Sequence, residues 1–254
     1  MKVACLMYGM LRNFSNTYET FNHYILQQLE AKGLDVKVYF AGYANKTGKN
    51  NCEKILVNKY KCINPKIMDW NEKQKSLIAN KTGPFSDFSF VPGARVESIF
   101  SSWYCKKEVF HIMEQNEIPD YVILVRPDVY WFRSINLDCI EESMREEKIM
   151  IPEEWDFKCV HPVAVSDAFA MGSYKTVKSF VSCIENIRSY KNLISMHAET
   201  LCGLHISVSG LNRGVCPRHF AFETPFSSDD VFSLWEKDWT KEDFKEDEDR
   251  KKYG

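Results

Sequence analysis

The sequence lacks the long hydrophobic runs and the excess of one charge that would place it in several large functional classes. Its 33 Lys and Arg residues nearly balance its 35 Asp and Glu residues, and the net charge of -2 leaves no bulk positive field to hold a nucleic-acid backbone. The most apolar stretches, such as Tyr121–Val125, are strand-sized, whereas a membrane span needs about 20 apolar residues. We therefore expect neither nucleic acid as a partner nor a membrane span.

Paired cysteines are also missing, because the nine cysteines are scattered without a Cys-x-x-Cys motif or a finger-like spacing to histidine. Cys5, Cys105 and Cys183 fall in apolar periodic stretches, where a free thiol packs as a small hydrophobic group. The apolar run at the N-terminus ends at Arg12 and Asn13 without a small-residue cleavage site, which is typical of a first strand rather than of a signal peptide. These features predict reduced thiols and a cytoplasmic protein.

Three common catalytic signatures are absent as well. None of the six histidines has the spacing of a zinc protease motif, no glycine-rich dinucleotide fingerprint occurs, and no P-loop is present. Zinc catalysis, hydride transfer and P-loop phosphoryl transfer are therefore without support in the sequence.

Short β-rich runs alternate with longer stretches of helical period, and this alternation predicts an α/β domain. The strongest helical pattern, from Arg95 to Asn116, leads into Tyr121–Val125, an apolar run typical of a central strand buried on both faces. Residues 73–93 mix Ser, Gly, Pro and Asp with aromatics and are expected to form loops. The other predicted strands are 3–8, 36–40, 66–70, 148–151, 168–172 and 214–222, and the other predicted helices are 15–33, 176–190 and 198–208.

One domain is expected to span residues 1–222. The remaining segment, 223–254, interleaves acidic and basic residues around Trp239 and Phe244. It is predicted to be a charged, solvated helix or a frayed tail, with docking of its aromatic side chains as the alternative.

The most informative segment is the end of the run Tyr121–Val125, where Arg126, Pro127 and Asp128 follow. In open α/β sheets, ligands bind outside the carboxyl ends of the strands, so a carboxylate at this point is expected to face the pocket. Proline has no amide hydrogen, and it therefore ends sheet pairing just before Asp128. The alternative is a surface ion pair between Arg126 and Asp128 that only closes a turn.

Four segments occur in a characteristic order: Gly9–Phe14 after the first strand, Val125–Asp128, Ser166–Gly172 and His197–Leu201. This order resembles that of small GT-A-type glycosyltransferases, which are found in bacterial surface-polysaccharide loci and in large DNA viruses that glycosylate their capsids. The resemblance implies a GT-A-like, Rossmann-like fold with a mixed, mostly parallel central sheet and helices on both faces. It also implies sugar transfer from a nucleotide-diphosphate donor, with a UDP-sugar as the expected donor, to a hydroxyl of a glycan acceptor.

The resemblance further implies a bound Mn²⁺ or Mg²⁺, which would stabilise the negative charge on the leaving diphosphate. Asp128 would be its carboxylate ligand. The usual Asp-x-Asp pattern is broken, because Tyr130 stands at the second acidic position and Arg126 precedes Asp128. Either the metal takes a distant ligand such as His205 or His219, or Arg126 replaces part of the role of the cation.

Several residues are candidates for binding the donor. Arg12, Arg95 and Arg126 can meet its phosphates, base or sugar, since a guanidinium matches phosphate oxygens in a bidentate way. Tyr8 and Gly9 are expected to line the nucleotide pocket, Tyr8 by stacking on the base and Gly9 by letting the backbone approach the ligand. The alternatives are solvated positions for Arg12 and Arg95 and a core position for Tyr8.

Two carboxylates are candidates for the catalytic role, and only one of them need be the base. Asp167 can grip sugar hydroxyls through charge-assisted hydrogen bonds, with a turn-forming role as the alternative. Glu199 can accept the proton of the attacking hydroxyl, with a favourable interaction at a helix N-terminus as the alternative. Inversion at the anomeric carbon would need one carboxylate, whereas no clear nucleophile for a retaining reaction is present.

Two other hypotheses come from different functional classes. A metal-dependent nucleotidyltransferase would share the strand order, but it normally has a glycine-rich or basic loop where Met10–Asn13 supplies a single arginine. A non-catalytic glycan-binding protein derived from a transferase is suggested by the missing acid at Tyr130. Binding of a nucleoside triphosphate or of free glycan alone would distinguish these from a transferase.

Overall fold

The computed structural model describes residues 1–11, 14–44, 49–90, 96–153, 163–217 and 220–222. The strands in these ranges are β1 Lys2–Leu11, β2 Asp35–Ala44, β3 Ile63–Met68, β4 Tyr121–Val125, β5 Val129–Trp131, β6 Lys148–Pro152, β7 Phe169–Ser173, β8 Asn212–Cys216 and β9 Phe220–Phe222. The helices are α1 Phe14–Phe21, α2 Gln27–Ala31, α3 Lys49–Asn58, α4 Glu72–Thr82, α5 Val96–Asn116, α6 Leu137–Glu146, α7 Tyr174–Val181, α8 Cys183–Asn186 and α9 Ala198–Val208. A π-helical turn, Asn22–Leu26, joins α1 to α2, so the helix expected over 15–33 is interrupted.

Seven strands form one sheet in the order β3-β2-β1-β4-β7-β6-β8, and β5 pairs with β9 in a separate two-stranded sheet. In the large sheet only β7 runs opposite to the other six strands. The prediction of an α/β fold with a mixed, mostly parallel sheet is therefore confirmed. The chain runs outward from β1 to β3 and then crosses to the other side of β1 to form β4. This reversal makes the carboxyl ends of β1 and β4 the topological switch point, where ligands bind in sheets of this kind.

A hydrophobic core lies on each face of the sheet. Alternate side chains of β1 divide between the two cores, with Leu6 and Tyr8 in one and Cys5 and Met7 in the other, as the two-residue period of a strand requires. Side chains of α5, α7 and α9 complete the first core, and side chains of α1, α3 and α6 complete the second. Helices on both faces are therefore confirmed, and they explain why every residue of β4 is buried.

Two predictions about local structure are wrong. Loops were expected over residues 73–93, but Glu72–Thr82 forms α4, whose first turn is capped by Asn71. Few side chains of α4 are buried, Ile78 and Thr82 being the clearest, so its sequence carries little apolar periodicity. The strand expected over 214–222 is two strands, β8 and β9, which belong to different sheets.

The eight cysteines in the described part of the chain are free thiols with buried side chains, and the ninth, Cys159, lies outside it. Burial raises the pKa of the Cys5 and Cys105 thiols to about 12, so both stay protonated at neutral pH. Across the described ranges, no helix is both long enough and apolar enough to pass through a bilayer. The charged segment 223–254 lies outside the described residues.

The carboxyl ends of β1 and β2 approach each other closely. A Cβ atom at Gly42 would lie 1.8 Å from the backbone oxygen of its β1 partner, Gly9. We expect Gly42→Ala to displace the end of β1 and to lower the free energy of unfolding by about 1–3 kcal/mol. In the control Gly214→Ala, the added methyl meets the flexible end of Met150, which can move, so the loss should be smaller. Urea unfolding of both variants tests this, and an equal loss would contradict it.

Candidate functional site

Predicted site residues from distant parts of the sequence meet at the carboxyl edge of the large sheet. Arg126 and Asp128 directly follow β4. Because β7 is antiparallel to β4 and begins opposite its last residue, Asp167 reaches the same edge just before β7. The start of α9 is tied to this region, since the backbone N–H of Val165 donates to the backbone oxygen of Glu199 at 3.0 Å. The sheet topology therefore brings Arg126, Asp128 and Asp167 to one edge, and the contact with Val165 places the start of α9 beside the segment that leads to Asp167.

Arg126 and Asp128 form a bidentate ion pair. Nε of Arg126 donates to Oδ1 of Asp128 at 2.8 Å, and Nη2 donates to Oδ2 at 2.6 Å. The Asp128 side chain is 8% exposed and that of Arg126 is 32% exposed, so the pair is largely buried and not the surface pair considered from the sequence. Burial lowers the pKa of Arg126, but the hydrogen bonds and charge of Asp128 outweigh it and raise the pKa above its usual value. Arg126 is therefore a permanent, partly accessible cation.

The turn that carries this pair is braced by α1. The hydroxyl of Thr17 donates to the backbone oxygen of Pro127 at 2.6 Å, and Thr20 accepts a hydrogen bond from the backbone N–H of Trp131 at 3.2 Å. Both threonines are buried. The turn between β4 and β5 therefore has a fixed position, which in turn fixes the Arg126–Asp128 pair.

Asp167 is paired with a buried lysine. Its Oδ2 atom lies 3.2 Å from Nζ of Lys106 and 3.5 Å from Oγ of Ser102. The Lys106 side chain is only 1% exposed. Its ammonium lies 3.9 Å from the ring centre of Trp103 and 4.8 Å from that of Tyr8, within the range of cation–π attraction. The Tyr8 hydroxyl also donates to the backbone oxygen of Asp167.

These neighbours keep Asp167 ionised. Burial raises the pKa of this carboxyl, but the charges of Lys106 and Arg126 and the hydrogen bonds from Lys106 and Ser102 outweigh it and hold the pKa below its usual range. A general base works best when its pKa lies near the operating pH. Asp167 is thus a poor general base but a strong hydrogen-bond acceptor.

Lys106 is a site residue that the sequence reasoning missed, because lysine in an amphipathic helix normally marks the exposed face. The sequence nevertheless indicated that Lys106 is buried. Lys106 lies three residues after Trp103 and four before Phe110, so it falls on the apolar face of α5. A lysine inside an apolar stripe needs a buried partner of opposite charge, and here the partner is Asp167.

His197 and Glu199 are close neighbours at the start of α9. Nδ1 of His197 lies 3.1 Å from Oε2 of Glu199, although the contact lacks the geometry of a hydrogen bond. Desolvation lowers the pKa of His197, with an opposing effect of the Asp167 charge, so its imidazole is neutral at pH 7. Since Asp167 is held as a weak base, Glu199 is the remaining one of the two predicted carboxylates for accepting a proton.

Of the other predicted donor-binding residues, Tyr8 and Gly9 are described. The ring of Tyr8 is buried in the core, the position considered as the alternative from the sequence. Gly9 has a φ of 105°, in the left-handed region that favours glycine, and no described atom lies within 4 Å of where a Cβ would stand. This open space is what a ligand approaching the backbone would need. The predicted residues Arg12, Arg95 and His219 lie outside the described residues.

The described residues do not fit a divalent cation. Mn²⁺ and Mg²⁺ require several oxygen or nitrogen ligands, yet both carboxylate oxygens of Asp128 accept hydrogen bonds from Arg126. His205 is buried, with its ring nitrogens hydrogen-bonded to the Tyr190 hydroxyl and the Ser179 carbonyl. In the ranges that the structure describes, no group of three or more His, Cys, Asp or Glu side chains is placed to hold a metal.

Comparison with solved structures finds a similarity to the crystal structure of mouse xyloside xylosyltransferase 1 in its apo form. The sequence identity is 12%, the TM-score is 0.44, and the match covers 85% of each chain. No protein-family model matches the sequence, and no curated protein does.

Proposed function

We propose that this protein is a glycosyltransferase that moves a sugar from a nucleotide-diphosphate donor, with a UDP-sugar as the expected donor, to a hydroxyl group of a glycan acceptor. The observation that carries the proposal is the position of the Arg126–Asp128 pair beside the topological switch point. Nucleotides bind at this point in doubly wound sheets, and a guanidinium recognises phosphate oxygens in a bidentate way. A fixed, partly exposed arginine at this position suits a diphosphate.

The roles proposed for the site residues follow from the position at which negative charge develops during sugar transfer. The bond between the anomeric carbon and the diphosphate oxygen breaks, and the departing diphosphate keeps the bonding electrons. Arg126 stabilises this negative charge, and Asp128 holds the guanidinium in place before the reaction, so little reorganisation is needed. The acceptor oxygen forms the new bond to the anomeric carbon and loses its proton to Glu199.

The Mn²⁺ or Mg²⁺ that the resemblance implies, with Asp128 and His219 as its ligands, stays a prediction. The described residues supply no ligand set for it, and no step proposed above passes through a metal. The cytoplasmic location and the bacterial or viral context also stay predictions.

Asp128→Asn tests the role of the ion pair. Asparagine preserves the shape of the side chain but removes its charge and one acceptor, so Arg126 loses its fixed orientation. We expect the rate of UDP release from a UDP-sugar and acceptor to fall by about 10- to 100-fold, as for other losses of positioning. The control is Asp138→Asn, which changes an exposed carboxylate in the first turn of α6.

The assay is run in EDTA and again in Mn²⁺. If Arg126 carries the charge, the wild-type protein keeps its activity in EDTA and Asp128→Asn is impaired in both conditions. Full activity of a folded Asp128→Asn variant would contradict the proposed role of the pair. Activity that appears only with Mn²⁺ would contradict the proposal that Arg126 neutralises the diphosphate charge without a metal. It would instead support a cation held by Asp128 and by residues outside the described ranges.

Calorimetry with a panel of ligands tests the class of protein. The proposal predicts binding of UDP and of at least one UDP-sugar, with loss of binding when Arg126 is replaced. Binding of a nucleoside triphosphate in preference to UDP would favour a nucleotidyltransferase. Binding of free glycan without any nucleotide would favour a non-catalytic glycan-binding protein.

A further inference from the structure

Lys106 is a buried charge at a place where a hydrophobic residue would fit. Its helix neighbours on the same face, Trp103 and Phe110, are both part of the core. Taking an ammonium group out of water costs several kcal/mol even when it is paired, and well-packed hydrophobic residues often replace a buried ion pair without loss of stability. The ion pair between Lys106 and Asp167 is therefore poorly explained by stability alone.

Among the described residues, the hydrogen bonds to the Asp167 carboxylate engage only one of its two oxygens. Lys106 and Ser102 both lie on the Oδ2 side of Asp167. No described residue donates a hydrogen bond to Oδ1, and the Asp167 side chain is 12% exposed at the carboxyl edge of the sheet. One oxygen is thus fixed by the protein, while the other can accept a hydrogen bond from a bound molecule.

We propose that Lys106 is a positioning residue that holds Asp167 as an ionised acceptor for the hydroxyl groups of the donor sugar and so leaves proton transfer to Glu199. The proposal rests on the function proposed above and assigns a residue that the sequence motifs do not contain. A charged acceptor makes hydrogen bonds roughly twice as strong as a neutral one, and a hydroxyl-bearing ligand at this edge provides the donors.

The charges around Asp167 favour this role. Besides Lys106, four titratable groups in the described part of the chain interact electrostatically with its carboxylate: Tyr8 in β1, Arg126 after β4, Cys183 in α8 and His197 before α9. Burial raises the pKa of Tyr8 and of Cys183, and desolvation lowers that of His197, so these three are neutral at pH 7. Among the described residues, the positive charges that act on Asp167 therefore come from Lys106 and Arg126, and Arg126 is already paired with Asp128.

The first test measures the ionisation of Asp167 directly and needs no activity. Carboxyl carbons are followed by NMR over a pH series, and the Asp167 signal is assigned by its loss in Asp167→Asn. We expect the pKa of Asp167 to rise by about one pH unit or more in Lys106→Met, because the nearest opposite charge is gone. Lys107→Met is the matched control, since Lys107 is the next residue of α5 and pairs with Glu185 at the surface.

Lys106→Gln is measured alongside Lys106→Met, because glutamine keeps a hydrogen-bond donor for Asp167 while removing the charge. It therefore remains informative if the methionine variant fails to fold. An Asp167 pKa that is the same in Lys106→Gln as in the wild type would overturn the proposal.

The second test is the pH dependence of UDP release. Binding of the donor sugar needs Asp167 ionised, whereas proton transfer to Glu199 acts in kcat, so a raised pKa moves the acidic limb of the pH profile of 1/KM for the donor to higher pH in Lys106→Gln. Below the raised pKa we expect the KM for the donor sugar to rise about tenfold relative to the wild type, with a smaller change in kcat, since a ground-state contact to the sugar is weakened; at pH 7, where Asp167 stays ionised, the KM should change little. A merely structural role would lower the whole profile without moving its acidic limb, and that result would contradict the proposal.

The two tests separate this inference from the proposed function. If the wild-type protein releases no UDP from any nucleotide sugar, the proposed function fails, whatever the NMR titration shows. If the wild-type protein is active and the acidic limb is the same in Lys106→Gln, the positioning role of Lys106 fails while the transferase assignment stands.

Discussion

Replacing Arg126 with methionine is expected to lower the rate of UDP release by about 100-fold or more, the size of effect seen when a preorganised donor to a developing negative charge is removed. Arg126 provides that donor at the switch point, where its position is fixed by Asp128. Arg126→Lys keeps the positive charge but cannot form the planar two-pronged contact, so it should recover only part of the lost activity. The measurement is the initial rate of UDP release with saturating acceptor.

The methionine variant also leaves Asp128 as a buried, unpaired carboxylate, so its stability needs a control of its own. In the double variant Arg126→Met/Asp128→Asn this unpaired charge is absent. We expect the double variant to unfold at a temperature closer to that of the wild type and yet to remain as inactive as the single variant. Arg145→Met, which alters an exposed arginine beside Glu146, should change neither property. Activity that returns together with stability in the double variant would contradict the role assigned to Arg126.

The largest expected effect on stability comes from Lys106→Met, which we predict to lower the free energy of unfolding at pH 7 by about 3–5 kcal/mol. The loss arises because the Asp167 carboxylate stays buried without its nearest cation. The double variant Lys106→Met/Asp167→Asn removes both charges, so we expect it to lose less than the single variant. Urea unfolding measures both, and equal losses would show that Lys106 acts through packing and not through its charge.

The pH dependence of this loss has a definite sign. Some carboxyl groups have a lower pKa in the folded than in the unfolded state. Such a group stabilises the fold at pH values above its unfolded pKa, which is about 3.9 for aspartate. This stabilisation is lost as the pH falls through the folded pKa. The pKa of Asp167 is lowered in the wild type by Lys106 and Arg126, which outweigh the opposing effect of burial. The difference between wild type and Lys106→Met should therefore shrink as the pH is lowered from 7 toward 4, and a difference that grows would contradict the account.

Parts of the chain that are buried on a regular period were predictable from the sequence. The continuous apolar run of β4 and the helix from Ala198 to Val208 were both predicted with the bounds that the structure shows. The position of Asp128 at the end of β4 was predictable as well, since the rule that ligands bind at carboxyl ends of strands needs only the strand and its direction. Helix α4 was missed because its polar sequence buries so few of its side chains.

The pairing of charges within the site was not predictable in the same way. Arg126 and Asp128 are two residues apart, so their ion pair could be weighed from the sequence, but its burial depends on α1 and β5 packing around the turn. Lys106 and Asp167 are 61 residues apart in the sequence. They meet only because α5 packs on the face of the sheet where Asp167 lies at the carboxyl edge. No local pattern specifies such a partner, although a lysine within an apolar helix face predicts that one exists.

A crystal structure of the protein with bound UDP would show whether the Arg126 guanidinium contacts the diphosphate. We expect the diphosphate to lie beside the carboxyl ends of β1 and β4, with its oxygens within hydrogen-bond distance of the Arg126 guanidinium. UDP bound elsewhere, or bound at this edge with the Arg126 guanidinium out of reach of the phosphates, would contradict the proposed role of Arg126.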